Sequence, residues 1–71
     1  MPSVRVTLLD EAEAVVGEVT VEADAPYSIN DHFQSPAGGV YLVCAVEKGD
    51  PPVEQELTAL WIDGPHPRAL M

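Results

Sequence analysis

The seven residues Val40, Tyr41, Leu42, Val43, Cys44, Ala45 and Val46 form an apolar run with turn-forming residues on both sides, Gly38-Gly39 before it and Gly49-Asp50-Pro51-Pro52 after it. Successive side chains on a strand point to opposite faces, so a run like this is apolar on both. Such a strand is expected at the centre of a sheet or wrapped within a barrel, with cover on each side. The chain offers little cover, because it has only 71 residues. A domain of that size buries about 60% of its unfolded surface, and its core supplies roughly 3–5 kcal/mol net. The shortfall points to a second source of burial, either a protein partner or another copy of the chain; the alternative, equally open, is that Tyr41 and Trp61 lie on adjacent strands, pack across the sheet and fill the core.

The rest of the sequence reads as strand and turn. From Val4 to Leu9, Val4, Val6 and Leu8 alternate with Arg5, Thr7 and Leu9, the pattern of a half-buried strand. From Val15 to Ala23, Val15, Val19, Val21 and Ala23 face one way, and Glu18, Thr20, Glu22 and Asp24 the other. Gly17 falls on the apolar side, where it marks a bulge or a close approach of backbone. With Asp10 to Ala14 as the connection, these two segments predict a β-hairpin. Ser28 and Asp31 resemble a capping box, and Ile29 and Phe33 lie four apart, so Ser28 to Gln34 predicts one short helical turn. The segment Val53 to Ile62 matches two templates. As a strand it gathers Val53, Leu57, Ala59 and Trp61 on one face. As a helix over 51–62 it would start at Pro51 and stop at Gly64-Pro65. The strand is preferred, because Val40 to Val46 needs an antiparallel neighbour. Residues 1–64 then make a single small β domain, and 65–71 a loose tail.

The resulting class is mainly β, a small bent sheet or partly open barrel of four to five antiparallel strands with one short helical turn. The order strand, strand, helical turn, strand, strand resembles the SH3-like and Sm-like barrels. The alternative is an α+β arrangement similar to the β-grasp of ubiquitin. A β-grasp normally carries a longer helix than Ser28 to Gln34 supplies, and the terminal diglycine of ubiquitin-like modifiers is missing. Sm proteins that bind RNA carry basic, Asn-containing loops, which the second half of this sequence lacks. The order of elements implies a fold, and no family follows from it.

Twelve acidic residues against three basic ones give a net charge of −9. That balance argues against nucleic acid and acidic membrane surfaces as partners, since both select for Lys and Arg. Its source is open: an acidic face made for a basic partner, or salt or host adaptation that writes acidity everywhere. No basic stretch precedes an apolar run at the N-terminus, and Val40 to Val46 is far short of the roughly 20 residues that span a bilayer. Cys44 is the only cysteine, which rules out an internal disulfide and fits a reducing cytosol, and its place in the apolar run predicts a buried thiol. A soluble cytoplasmic protein is the expectation.

Residues that carry chemistry are scattered. His32, His66 and Cys44 lack metal-ligand spacing, and the Asp10, Glu11, Glu13 turn lacks the pattern of a calcium loop. Gly38-Gly39 has no Lys or Ser/Thr at the offset a phosphate loop needs, and no serine sits in a nucleophile elbow. No catalytic residue, cofactor, metal or small-molecule substrate is therefore assigned. The expected function is a non-catalytic interaction or assembly module working through an apolar sheet face, with Tyr41, Val43, Leu60, Trp61 and Ile62 as the contact. The alternative is an acidic inhibitor or decoy that covers a basic nucleic-acid-binding surface of another protein with Glu18, Glu22 and Asp24.

Overall fold

The computed structural model describes residues Ser3 to Pro67, and the chain forms five strands. They are β1 (Ser3–Leu9), β2 (Val15–Glu22), β3 (His32–Gln34), β4 (Val40–Lys48) and β5 (Val53–Asp63). One sheet holds them in the order β2-β1-β5-β4-β3, curled into a half-barrel. The alternating segments do form the expected hairpin. Asp10 closes it: its buried carboxylate accepts hydrogen bonds from the N–H groups of Ala12 and Ala14, each at 2.9 Å. Glu13 takes a left-handed conformation in that turn, with φ of 64°.

Two expectations about the strands and turns are corrected. The strands are not all antiparallel, because β1 runs parallel to β5 along its whole length, from Ser3 opposite Val53 to Leu9 opposite Leu60. Pairing first strand to last places β5 at the centre, with β1 and β4 each second from a border and β4 next to the three-residue β3. The helical turn over Ser28 to Gln34 does not form. Ser28 N–H does donate to the Asp31 carboxylate at 2.7 Å, the bond a capping box would make, but it closes a turn. Asn30 adopts φ of 76°, its N–H donates to Val43 O, and Val43 N–H donates to Asp31 O, so the segment is drawn onto β4 before any helix can start. The strand preferred over Val53 to Ile62 does form, as β5, and the alternative helix over 51–62 does not, because β1 and β4 pair with it on both sides and satisfy its backbone. No helix forms among the described residues, so the α+β alternative similar to the β-grasp is not the fold observed.

The core lies on the concave side. Val4, Val6 and Leu8 of β1 meet Leu57 and Ala59 of β5, Tyr41 and Val43 of β4, and Phe33 of β3. An extended segment does what a helix would do elsewhere in closing this side. Tyr27 exchanges two hydrogen bonds with the Gln55 side-chain amide, at 2.9 and 3.0 Å, and its ring meets Phe33 edge-on at 5.9 Å. Two bulges interrupt the pairing. Between Leu8 and Leu9 the β2 partner steps from Gly17 to Val15, so Val16 is the extra residue. Between Val43 and Ala45 the β5 partner steps only from Ala59 to Thr58, so Cys44 is extra. The thiol expected in the core is for that reason exposed, with Sγ donating to Thr58 O at 3.3 Å.

Candidate functional interface

The outer face of the sheet is not uniformly polar. Strand alternation puts Arg5, Thr7 and Leu9 of β1 opposite the core side, and pairing register extends each of these positions into a row across the sheet. One row runs Thr20, Arg5, Glu56 and Glu47: Arg5 Nη1 donates to Glu56 Oε1 at 3.2 Å, and Arg5 Nε reaches diagonally to within 3.7 Å of Glu18 Oε1 in the next row. The next runs Glu18, Thr7, Thr58 and Ala45, small apart from the Glu18 carboxylate at its β2 end. The third is apolar from β2 to β4: Val15 opposite Leu9, Leu9 opposite Leu60, and Leu60 opposite Leu42. Val15 is 69% exposed, and Leu9, Leu60 and Leu42 are half-buried with no layer over them among the described residues. Ile62, two residues beyond Leu60 on β5, extends the band and is 42% exposed.

The five residues expected to form an apolar contact divide in two. Tyr41 and Val43 are 1% and 0% exposed and belong to the core of their own chain, with Tyr41 paired to Trp61 across β4 and β5. Leu60 and Ile62 lie in the outer band. Trp61 is half-buried on the core side, and its indole N–H is buried without a hydrogen-bond partner among the described residues. The band also contains Leu9, Leu42 and Val15, which the sequence reading passed over. A signal for Leu9 was available, since it breaks the otherwise polar parity of Arg5 and Thr7. Of the acidic set, Glu18 and Glu22 share the outer face of β2, opposite Thr7 and Ser3, and Asp24 is exposed just past the strand end.

At one end of the sheet, part of the stretch read as a tail packs down. The His66 ring meets Trp61 edge-on at 4.9 Å, and its Nε2 is 2.6 Å from Glu11 Oε2 in the β1–β2 turn. A backbone hydrogen bond, helped by this His66 contact, holds the Glu11 carboxyl below its usual range. Residues 68–71 lie outside the described part. At the other end an open groove of about 690 Å³ runs between Val4, Pro26, Lys48, Pro52 and Glu54. Its one buried-side amide, Gln55, is already engaged by Tyr27.

Among the described residues, no three His, Cys, Asp or Glu side chains gather closely enough to hold a metal ion, and no helix is long and apolar enough to cross a membrane. No protein-family model matches the chain, and no curated protein or solved structure matches it either.

Proposed function

We propose that this protein is a non-catalytic interaction module that docks a protein partner on the outer face of its sheet. The observation that carries the reading is the continuous apolar row Val15, Leu9, Leu60 and Leu42, with Ile62 beside it, on a face with no second layer over it among the described residues. Contiguous apolar surface rimmed by polar groups is where proteins associate. The rim here includes Glu18 on β2, Glu47 and Glu56 one row further, and Asp63 past Ile62. A partner that offers an apolar strip flanked by Lys or Arg fits this rim. A second copy, itself at −9, fits it poorly. Its site of action is taken to be the cytoplasm, where a lone exposed thiol stays reduced.

A photo-crosslinking side chain placed at Ile62, with Glu54 as the control position, tests this in the cell of origin. The expected result is a discrete adduct from Ile62 that Leu60→Glu abolishes and high salt leaves intact. An adduct of twice the chain's own mass would mean self-assembly. One that fades steeply with salt and depends on Glu18, Glu22 and Asp24 would instead support the acidic decoy. No adduct dependent on Leu60 would refute the docking face.

A further inference from the structure

The two borders of the sheet differ. The β3 border is only three residues long, and Pro36 follows it closely. The β2 border is eight residues long, has neither Pro nor Lys from Val15 to Glu22, and pairs with no strand on its outer side among the described residues. Edges of this length are normally blunted, because their unpaired N–H and C=O groups template the addition of another strand. Here the single bulge at Val16 disturbs only the first two residues and leaves Gly17 to Glu22 regular.

A slot of about 220 Å³ lies along this border, between β2 and the turn that follows β3. Leu8, Val16, Val19, Ala37 and Tyr41 are among the residues that line it, together with Glu18. Its volume suits one aliphatic side chain and is too small for a length of backbone. A strand laid along β2 would alternate in step with it. Its inward side chains would sit beside Val19 and Val21, with one entering the slot. Its outward side chains would lie beside Glu18, Thr20 and Glu22.

Charge then selects the occupant. Among the described residues, Arg5 is the cation paired with this edge, at 3.7 Å from Glu18, and it is shared with Glu56. Exposed pairs of that kind contribute little, so the two β2 carboxylates keep most of their field. A second copy pairing antiparallel about Thr20 would set Glu18 of one chain against Glu22 of the other, twice over. Like charges directly opposite destabilise a strand pair. A basic strand would meet complementary charge at both positions.

We propose that the outer edge of β2 takes an extended segment of another protein in which Lys or Arg alternates with an apolar residue, with one apolar side chain filling the slot. Main-chain hydrogen bonds would supply affinity, while the slot and the Glu18–Glu22 pair would supply register and selectivity. This contact shares Glu18 with the rim of the outer-face band and does not use the band's Leu60 or Leu42.

The test uses the full chain and three synthetic peptides: alternating Lys and Val, the same composition with the lysines and valines in separate blocks, and alternating Glu and Val. Titration calorimetry should show binding of the first alone, and amide exchange should slow in β2 and not in β4. Glu18→Lys with Glu22→Lys should transfer the preference to the Glu–Val peptide. Ala37→Phe, on an exposed turn, should fill the slot and weaken the Lys–Val complex by on the order of tenfold. Equal binding of the block peptide would reduce the effect to charge alone and overturn the proposal. So would absence of binding, protection outside β2, or a Lys–Val complex indifferent to Ala37→Phe. Leu60→Glu should leave peptide binding unchanged, which keeps this contact distinguishable from the one on the outer face.

Discussion

Tyr41 shows how a single position joins packing to titration. Its ring is buried against Phe33 and paired to Trp61, and burial pushes its phenol above the ordinary value of 10.0, because the phenolate would lose its water. The folded state therefore holds this proton more tightly than the unfolded chain does. Its contribution is fully present below the unfolded value near 10.0 and is lost as pH rises past it. Thermal midpoints measured on either side of that pH should fall on the alkaline side for the native chain, and fall less for Tyr41→Phe. An equal fall in both would remove Tyr41 as the cause. That Tyr41 could pack across the sheet against Trp61 was readable from the sequence. That it is sealed in its own core was not, because exposure depends on what the neighbouring strands bring.

Among the elements, the glycines separate local demand from local freedom. Gly39 opens β4 with φ of +92°, and a Cβ there would stand 3.0 Å from Pro65 O and 3.3 Å from the Tyr41 ring. Gly17 sits in β2 with nothing within 4 Å of where its Cβ would be and no positive φ. Gly39→Ala should therefore destabilise by about 1–3 kcal/mol, whereas Gly17→Ala should be neutral or stabilise by about 0.4–1 kcal/mol. Urea unfolding followed by tryptophan fluorescence checks both. If the two variants lie within error of each other, the close approach of Pro65 is not what Gly39 serves. The hairpin of β1 and β2 was legible because period-two alternation is a local signal. The turn at Ser28 to Asp31 was misread because its capping hydrogen bond is the same in a helix and in a closed turn. Only the reach of Asn30 and Asp31 to Val43 decides between them. Strand β5 matched helix and strand about equally until two flanking strands satisfied its backbone.

For the whole molecule, the charge of −9 is confined to a body with a radius of gyration of 11.3 Å. Self-repulsion at that density opposes the compact state, and salt screens it over about 10 Å at 0.1 M. Adding sodium chloride should raise the thermal midpoint, with light scattering checking that the molar mass does not change. A midpoint indifferent to salt would show the acidic side chains to be spread too evenly to repel. The sequence by itself determined the β class, the first hairpin, an apolar middle strand with two greasy faces, and the acid balance that argues against nucleic acid. All of these follow from residue type and spacing along a few neighbouring positions. The tertiary structure decided which greasy residues meet water and which edge lies open. Strand parity repeats every two residues, so one extra residue at Val16 or Cys44 exchanges inside for outside, and only the partner strand places it.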